Sequence, residues 1–256
     1  TDIDADAECT HKENFKQIPF IKKDIAILLP DEILKKTNGV YPDVIVGGPP
    51  CQGFSQMGDK YSSDPRNLLF KNYVNLLRAL GPKCFVFENV KGLAQLRKGL
   101  FLDNLIKEFS DCGYDIYFKI LDASKFGVPQ KRQRVIIFGT KLNKRFSFPE
   151  KQFLKLKNLN SYSNVGEAIN DLSENYNSFH NHIPLKHKEI VIKRYKLIPE
   201  GGRLPPPEKL PTEIRRKNFG STYIRLSKNN LSMTLVPGNN AFPIHPTLNR
   251  SLTPRE

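Results

Sequence analysis

The chain has 256 residues, with 40 Lys plus Arg against 26 Asp plus Glu, a formal charge of +14 and a pI of about 9.6, so a polyanion is the first partner to consider. Apolar residues at 39% supply a core for one large domain or two smaller ones and exclude wholesale disorder, while 16 Gly and 19 Pro without a repeat exclude collagen-like and solenoid architectures. The cysteines, Cys9, Cys51, Cys84 and Cys112, form neither a CxxC pair nor a Cys/His cluster of zinc-ligand spacing, which argues against a disulfide scaffold or a structural metal and for a reducing compartment.

From Asp2 to about Thr140 short apolar strands alternate with helical patterns, which predicts an open, mostly parallel α/β sheet. Val44–Val46 and Phe85–Phe87 read as neighbouring strands buried on both faces. Between them Leu69, Phe70, Tyr73, Leu76, Leu77 and Leu80 put one apolar stripe on a helix that Gly81-Pro82 stops. A second helix is predicted from about Leu100 to Phe109, followed by strands over Tyr114–Leu121 and Arg134–Phe138 joined by a Gly127-Val128-Pro129 turn. Beyond about Pro149 the alternation stops and Asn, Lys, Pro and Ser increase, so a domain boundary is placed near residue 150. There Lys193, Arg194, Lys196, Arg203, Arg215, Arg216, Lys217 and Arg225 stand among Tyr195, Phe219 and Tyr223, which reads as a surface for phosphates. The apolar runs fall far short of the roughly 20 residues that span a bilayer. No basic-then-apolar leader opens the chain, so a soluble protein is expected.

Three segments carry the chemistry. Gly47-Gly48-Pro49-Pro50-Cys51-Gln52-Gly53-Phe54-Ser55 follows the Val44–Val46 strand, putting Cys51 where open α/β sheets place ligands. A free thiol is only slightly ionised at neutral pH, so a nucleophilic role requires an activating environment, and by itself Cys51 also fits an inert cysteine at a strand end. Glu88-Asn89-Val90 ends the next strand, where a partly desolvated Glu88 could pass a proton to a ring nitrogen or, equally, cap the following helix. In Gln130-Lys131-Arg132-Gln133-Arg134, strand alternation would align Gln130, Arg132 and Arg134 on one face, an arrangement that a solvated edge strand also produces. His180-Asn181-His182 lacks a third ligand and reads as a polar loop.

Together, the Pro-Cys-Gln-Gly-Phe-Ser loop at 50–55, the Glu-Asn-Val at 88–90 and the Gln-x-Arg-x-Arg at 130–134 resemble the DNA cytosine-5 methyltransferase family in order and separation. The resemblance implies a Rossmann-like class I methyltransferase sheet in a catalytic domain at 1–149. It adds a smaller, irregular target-recognition domain at 150–245 and a segment at 246–256 returning to the catalytic domain. It implies S-adenosyl-L-methionine as cofactor, with Asp2 on the ribose, Ile3 beside the adenine, Asp24 at the adenine amino group, and Ile25, Pro49 and Leu69 completing the pocket. Asn67-Leu68-Leu69-Phe70 resembles the segment opening the helix over the cofactor, and Ile198–Gly202, Ser232–Leu235 and Arg250–Glu256 resemble the recognition region and the motif after it. The family's opening strand with its Gly-rich turn and its closing helix with a Gly-Asn pair have no counterpart here. That implies a fragment, or half of a split enzyme whose second polypeptide supplies both.

The mechanism implied by the resemblance has Cys51 adding to carbon 6 of a cytosine flipped from duplex DNA, Glu88 bonding the ring nitrogen and exocyclic amine, and carbon 5 taking the methyl group. Arg134 would hold the cytosine carbonyl oxygen, Arg132 would orient the Cys51 loop, and Asn89 would fix the loop carrying Glu88. Gln52, Ser55, Gln130 and Thr234 would meet the nucleic acid, Thr234 as a phosphate contact or as ordinary turn chemistry. The expected setting is the cytoplasm of a prokaryote, as in a restriction-modification system, or the nucleus of a eukaryote, with no membrane and no metal. Rival readings are a non-catalytic DNA-binding fragment, a methyltransferase acting on cytosine in transfer RNA, and a cysteine hydrolase that no nearby histidine supports.

Overall fold

The computed structural model describes residues 1–50, 69–149, 164–172, 179–215, 223–235 and 243–256. Cys51, Gln52, Gly53, Phe54 and Ser55, and also Asn67, Leu68, Arg216, Lys217 and Phe219, lie outside the described residues. The chain divides into two compact units, residues 1–121 with 133–148, and residues 122–132 with 149–256.

In the first unit, α1 (Ala5–Asn14) starts at Asp4, whose carboxylate accepts from the backbone N–H groups of Asp6 and Ala7. α2 (Pro30–Lys36) opens with proline, and Glu32 reaches back to the Leu29 N–H at 3.0 Å. The sheet order is β1-β2-β4-β3, made of β1 (Val44–Gly47), β2 (Cys84–Val90), β3 (Asp115–Asp122) and β4 (Gln133–Thr140). β1 and β2 are parallel, from Val44 opposite Cys84 to Gly47 opposite Phe87. β2 and β4 are antiparallel, from Cys84 opposite Thr140 to Val90 opposite Arg134, so the described sheet is mixed rather than mostly parallel.

α3 (Leu69–Leu80) buries Tyr73, Leu76, Leu77 and Leu80 of the predicted stripe together with Val74, while Leu69 and Phe70 are half-buried. It ends where Gly81 takes φ +55°, a left-handed conformation that strains any side chain, while its N–H bonds the Leu77 carbonyl. α4 (Leu100–Ser110) contributes Phe101, Leu102, Leu105 and Phe109. The core closes between these helices and one face of the sheet, where Phe85, Phe87, Val135 and Ile137 have no exposed surface and the Phe85 and Phe109 rings lie 4.6 Å apart. β1 departs from expectation, because Val44 is 51% and Val46 72% exposed: its Val-Ile-Val run alternates outward and half-buried rather than being covered on both faces.

Among its described residues the second unit has short elements, α5 (Val165–Ile169), α6 (Glu189–Lys196) and three 3-10 turns, at Ala123–Phe126, Pro207–Lys209 and Thr212–Ile214. One small core holds Val165, Ile169, Leu172, Leu226 and Leu252; another holds Tyr195, Ile198 and Ile244. Residues 246–256 fall in this compact unit, where Ser251 bridges Ile244. Among the described residues no helix is long and apolar enough to cross a membrane.

Candidate functional site

A cavity of about 600 Å³ in the first unit is lined by all six residues expected at a cofactor: Asp2, Ile3, Asp24, Ile25, Pro49 and Leu69. Local chemistry places the two carboxylates. Asp2 pairs with Lys22 in an isolated parallel bridge, and one oxygen of its carboxylate accepts from the Asp4 N–H at 3.0 Å. Asp24 folds onto its own turn, accepting from the Ala26 N–H at 2.8 Å. Two carboxylates beside Ile3, Ile25, Leu69 and proline suit a nucleoside, whose hydroxyl and amino groups donate and whose flat base needs apolar walls. The adenosine part of S-adenosyl-L-methionine therefore fits this set of residues.

The Gly47–Pro50 stretch forms one wall of that cavity and leads to Cys51. A side chain at Gly48 would come within 3.1 Å of the Glu88 carboxylate and backbone carbonyl, and one at Gly47 would strike the Tyr73 ring, so the two glycines let the loop lie directly on its neighbours. Asn89 Nδ2 donates to the Pro49 carbonyl at 2.9 Å. Asn89 thus ties the end of β2 to the segment entering Cys51, and its Oδ1 accepts from the Val90 N–H at 3.0 Å in the stretch that follows Glu88. Beneath them Tyr73, which the sequence reading used only as core, places its hydroxyl 3.0 Å from the Val86 carbonyl and 3.2 Å from that of Ile45. Burial pushes its phenol far above the ordinary range, so it remains a neutral donor to neighbouring strands.

Glu88 and Arg134 meet because of strand register. Glu88 is opposite Ile136, so Arg134, two residues along the same face, is its diagonal neighbour. Arg134 Nε donates to Glu88 Oε1 at 2.8 Å, with the Arg134 side chain 18% and the Glu88 side chain 41% exposed. Arg134 also donates to the Gln133 carbonyl. The expected single-face row of Gln130, Arg132 and Arg134 is not formed: β4 begins at Gln133, Gln130 bridges Ser232, and the Arg132 carbonyl accepts from the Ala123 N–H. Gln130 and Arg132 belong to the second unit and Arg134 to the first. Thr234 donates its hydroxyl proton to the Lys131 carbonyl at 2.7 Å.

Two expected phosphate contacts are buried. Arg225 is 5% exposed and donates to the carbonyls of Ile198, His245, Leu248 and Tyr195 and to Asn249 Oδ1. Arg194 is also buried and donates to the Ile214 carbonyl and the Tyr223 hydroxyl. An irregular unit has many backbone carbonyls without ladder partners, and these guanidinium groups satisfy them. Lys193, Lys196, Arg203 and Arg215 are exposed. His182, expected in a polar loop, is fully buried between Thr253 Oγ1 and the Leu172 carbonyl. Among the described residues no group of three or more His, Cys, Asp or Glu could hold a metal ion.

The fold is that of the class I methyltransferases, as a solved structural neighbour shows. A prophage-encoded E. coli protein described as a DNA modification methyltransferase has a similar crystal structure, with a TM-score of 0.71 and 25% identity over 99% of this chain and 78% of that one. The chain belongs to the C-5 cytosine-specific DNA methylase family, whose model matches residues 1–256. It is 33% identical over 258 residues to type II methyltransferase M1.HphI of Haemophilus parahaemolyticus, covering 96% of this chain and 66% of that relative. With M.DdeI of Desulfomicrobium norvegicum, also a type II methyltransferase, identity is 30% over 291 residues, covering 98% and 69%. The chain thus spans about two thirds of the length of these two relatives.

Proposed function

We propose that this protein transfers a methyl group from S-adenosyl-L-methionine to carbon 5 of a cytosine flipped from duplex DNA, through a covalent adduct with Cys51. The observation that carries the reading is the cavity, lined by Asp2, Ile3, Asp24, Ile25, Pro49 and Leu69, whose loop wall runs into Cys51. Asn89 joins that wall to the strand of Glu88. The cofactor supplies an electrophilic methyl group when bound. The Cys51 thiolate adds to carbon 6, and the electrons of the 5,6 double bond move to carbon 5, which would take the methyl while the broken methyl–sulfur bond leaves its electron pair on the sulfur of the spent cofactor. Glu88 in its protonated form passes its proton to the ring nitrogen and accepts from the exocyclic amine, so the negative charge reaching the ring is neutralised as it develops; Arg134 holds the Glu88 carboxyl group in place and, with its other donors, the cytosine carbonyl oxygen. Loss of the carbon 5 proton and departure of Cys51 restore the ring. A stacked base covers both faces of the atoms concerned, so flipping precedes the chemistry. The exposed cations of the second unit, Lys193, Lys196, Arg203 and Arg215, supply sequence-independent affinity for the phosphates.

Labelled methyl transfer into unmethylated mixed-sequence DNA tests this, with the protein and Cys51→Ala run in parallel and transfer RNA as a second acceptor. Label in DNA as 5-methylcytosine, lost with Cys51→Ala while DNA binding persists, is the expected result. Turnover by the variant would remove Cys51 from the mechanism, and label confined to RNA would reassign the substrate.

A further inference from the structure

We infer that Thr234 is a positioning residue of the methyl-transfer site, holding the backbone just ahead of the two arginines through the Lys131 carbonyl. The inference rests on the activity proposed above and adds a role for Thr234 distinct from contact with a phosphate. The segment 129–132 has its main-chain groups engaged one after another: Ser232 N–H donates to the Pro129 carbonyl at 2.9 Å, and Lys131 N–H donates to the Ser232 carbonyl at 2.9 Å. Gln130 and Ser232 form a parallel bridge, and Ala123 N–H donates to the Arg132 carbonyl at 2.9 Å. The Lys131 carbonyl is taken by the Thr234 hydroxyl at 2.7 Å, a side-chain bond that extends the pairing where the main-chain bridge ends.

Three residues beyond Lys131 is Arg134, whose guanidinium holds Glu88 at 2.8 Å. Within the second unit residues 129–132 pair with the 232–234 segment, and from Gln133 onward the chain runs in the β2–β4 ladder of the first. Thr234 lies in the stretch that resembles the recognition region, so its hydroxyl ties that stretch to the segment feeding the catalytic pair. A small loss of alignment at reacting groups has a large kinetic effect, so the hydroxyl should matter to turnover more than to affinity.

Thr234→Val keeps the shape and removes the hydroxyl, and Thr234→Ser restores it. Three quantities are measured on the full protein: kcat for methyl transfer, DNA affinity across a salt series, and amide exchange at 129–134 and 232. The expected result is that Thr234→Val lowers kcat about ten-fold, leaves affinity and its salt slope unchanged, and speeds exchange at Lys131 and Ser232. Thr234→Ser should recover kcat and protection. Weaker binding at every salt concentration, with the slope unchanged because a neutral hydroxyl releases no counterion, would instead make Thr234 a phosphate ligand and overturn the inference. Unchanged exchange at Lys131 and Ser232 in Thr234→Val would also overturn it. A parent protein that transfers no methyl would defeat the proposed activity, while the exchange comparison would still decide whether Thr234 clamps this segment.

Discussion

Arg225 and Lys196 have the same formal charge and opposite duties. Arg225 is enclosed by four carbonyls and an amide oxygen, each at 2.7 or 2.8 Å, whereas Lys196 is exposed. Arg225→Lys keeps the charge and loses the planar fork, and should destabilise the protein by about 3 kcal/mol or more in urea titration, since several charge-assisted bonds disappear together. Lys196→Gln should leave that midpoint unchanged while reducing the salt slope of DNA binding by about one unit. Identical behaviour of the two variants would contradict the assignment. Sequence alone could not separate them, because an arginine that feeds stray carbonyls and one that faces a phosphate stand in equally polar surroundings. Glu88, Asn89 and Arg134 were legible as candidates from their segments. The Glu88–Arg134 pair was not, because it arises from a diagonal in a ladder whose register no local pattern records.

At the scale of elements, the apolar stripe of α3 and its stop were readable because a 3.6-residue period and a following Gly-Pro are both local signals. Gly81 at φ +55° makes the stop testable: Gly81→Ala should cost about 1–2 kcal/mol by forcing a side chain into left-handed backbone, and an unchanged unfolding midpoint would show that the chain end of α3 relaxes instead. The exposure of β1 and the mixed character of the sheet departed from expectation for a related reason. A Val-Ile-Val run looks the same in a strand covered on both faces and in one with Val46 in the open, and strand–helix alternation is silent about a strand that returns antiparallel. The Gly47–Pro50 wall was legible as tight and rigid, but not its closeness to Glu88, which only packing reveals.

For the molecule as a whole, acid should act first on the second unit. Burial pushes the His245 imidazole down to about 4 from an ordinary 6.5, with Arg250 and Arg225 adding to the effect against the pull of Glu256. Burial also lowers His187. Below pH 6.5 the unfolded chain takes up protons that the folded one refuses, so stability present above 6.5 declines as pH falls toward 4. Burial raises Glu256, but its bonds from Arg250 and the Thr253 N–H outweigh that and hold it below the usual carboxylate value, so its contribution is lost further down. Thermal melts between pH 7 and pH 4.5 should show a falling transition temperature, flattened in His245→Gln; a flat profile in the parent would refute the linkage.

The order in which the backbone visits the two units has a practical outcome. It enters the second at Asp122, goes back at Gln133 and leaves again at Pro149, so one cut near residue 149 cannot separate them as self-contained parts. A hybrid that exchanges only 149–256 with a relative would confront the incoming 232–234 stretch with a foreign 129–132. Transplants aimed at a new DNA target should carry residues 122–132 along with the recognition segment, and libraries that vary the two stretches jointly should give more active hybrids than those that vary either one separately.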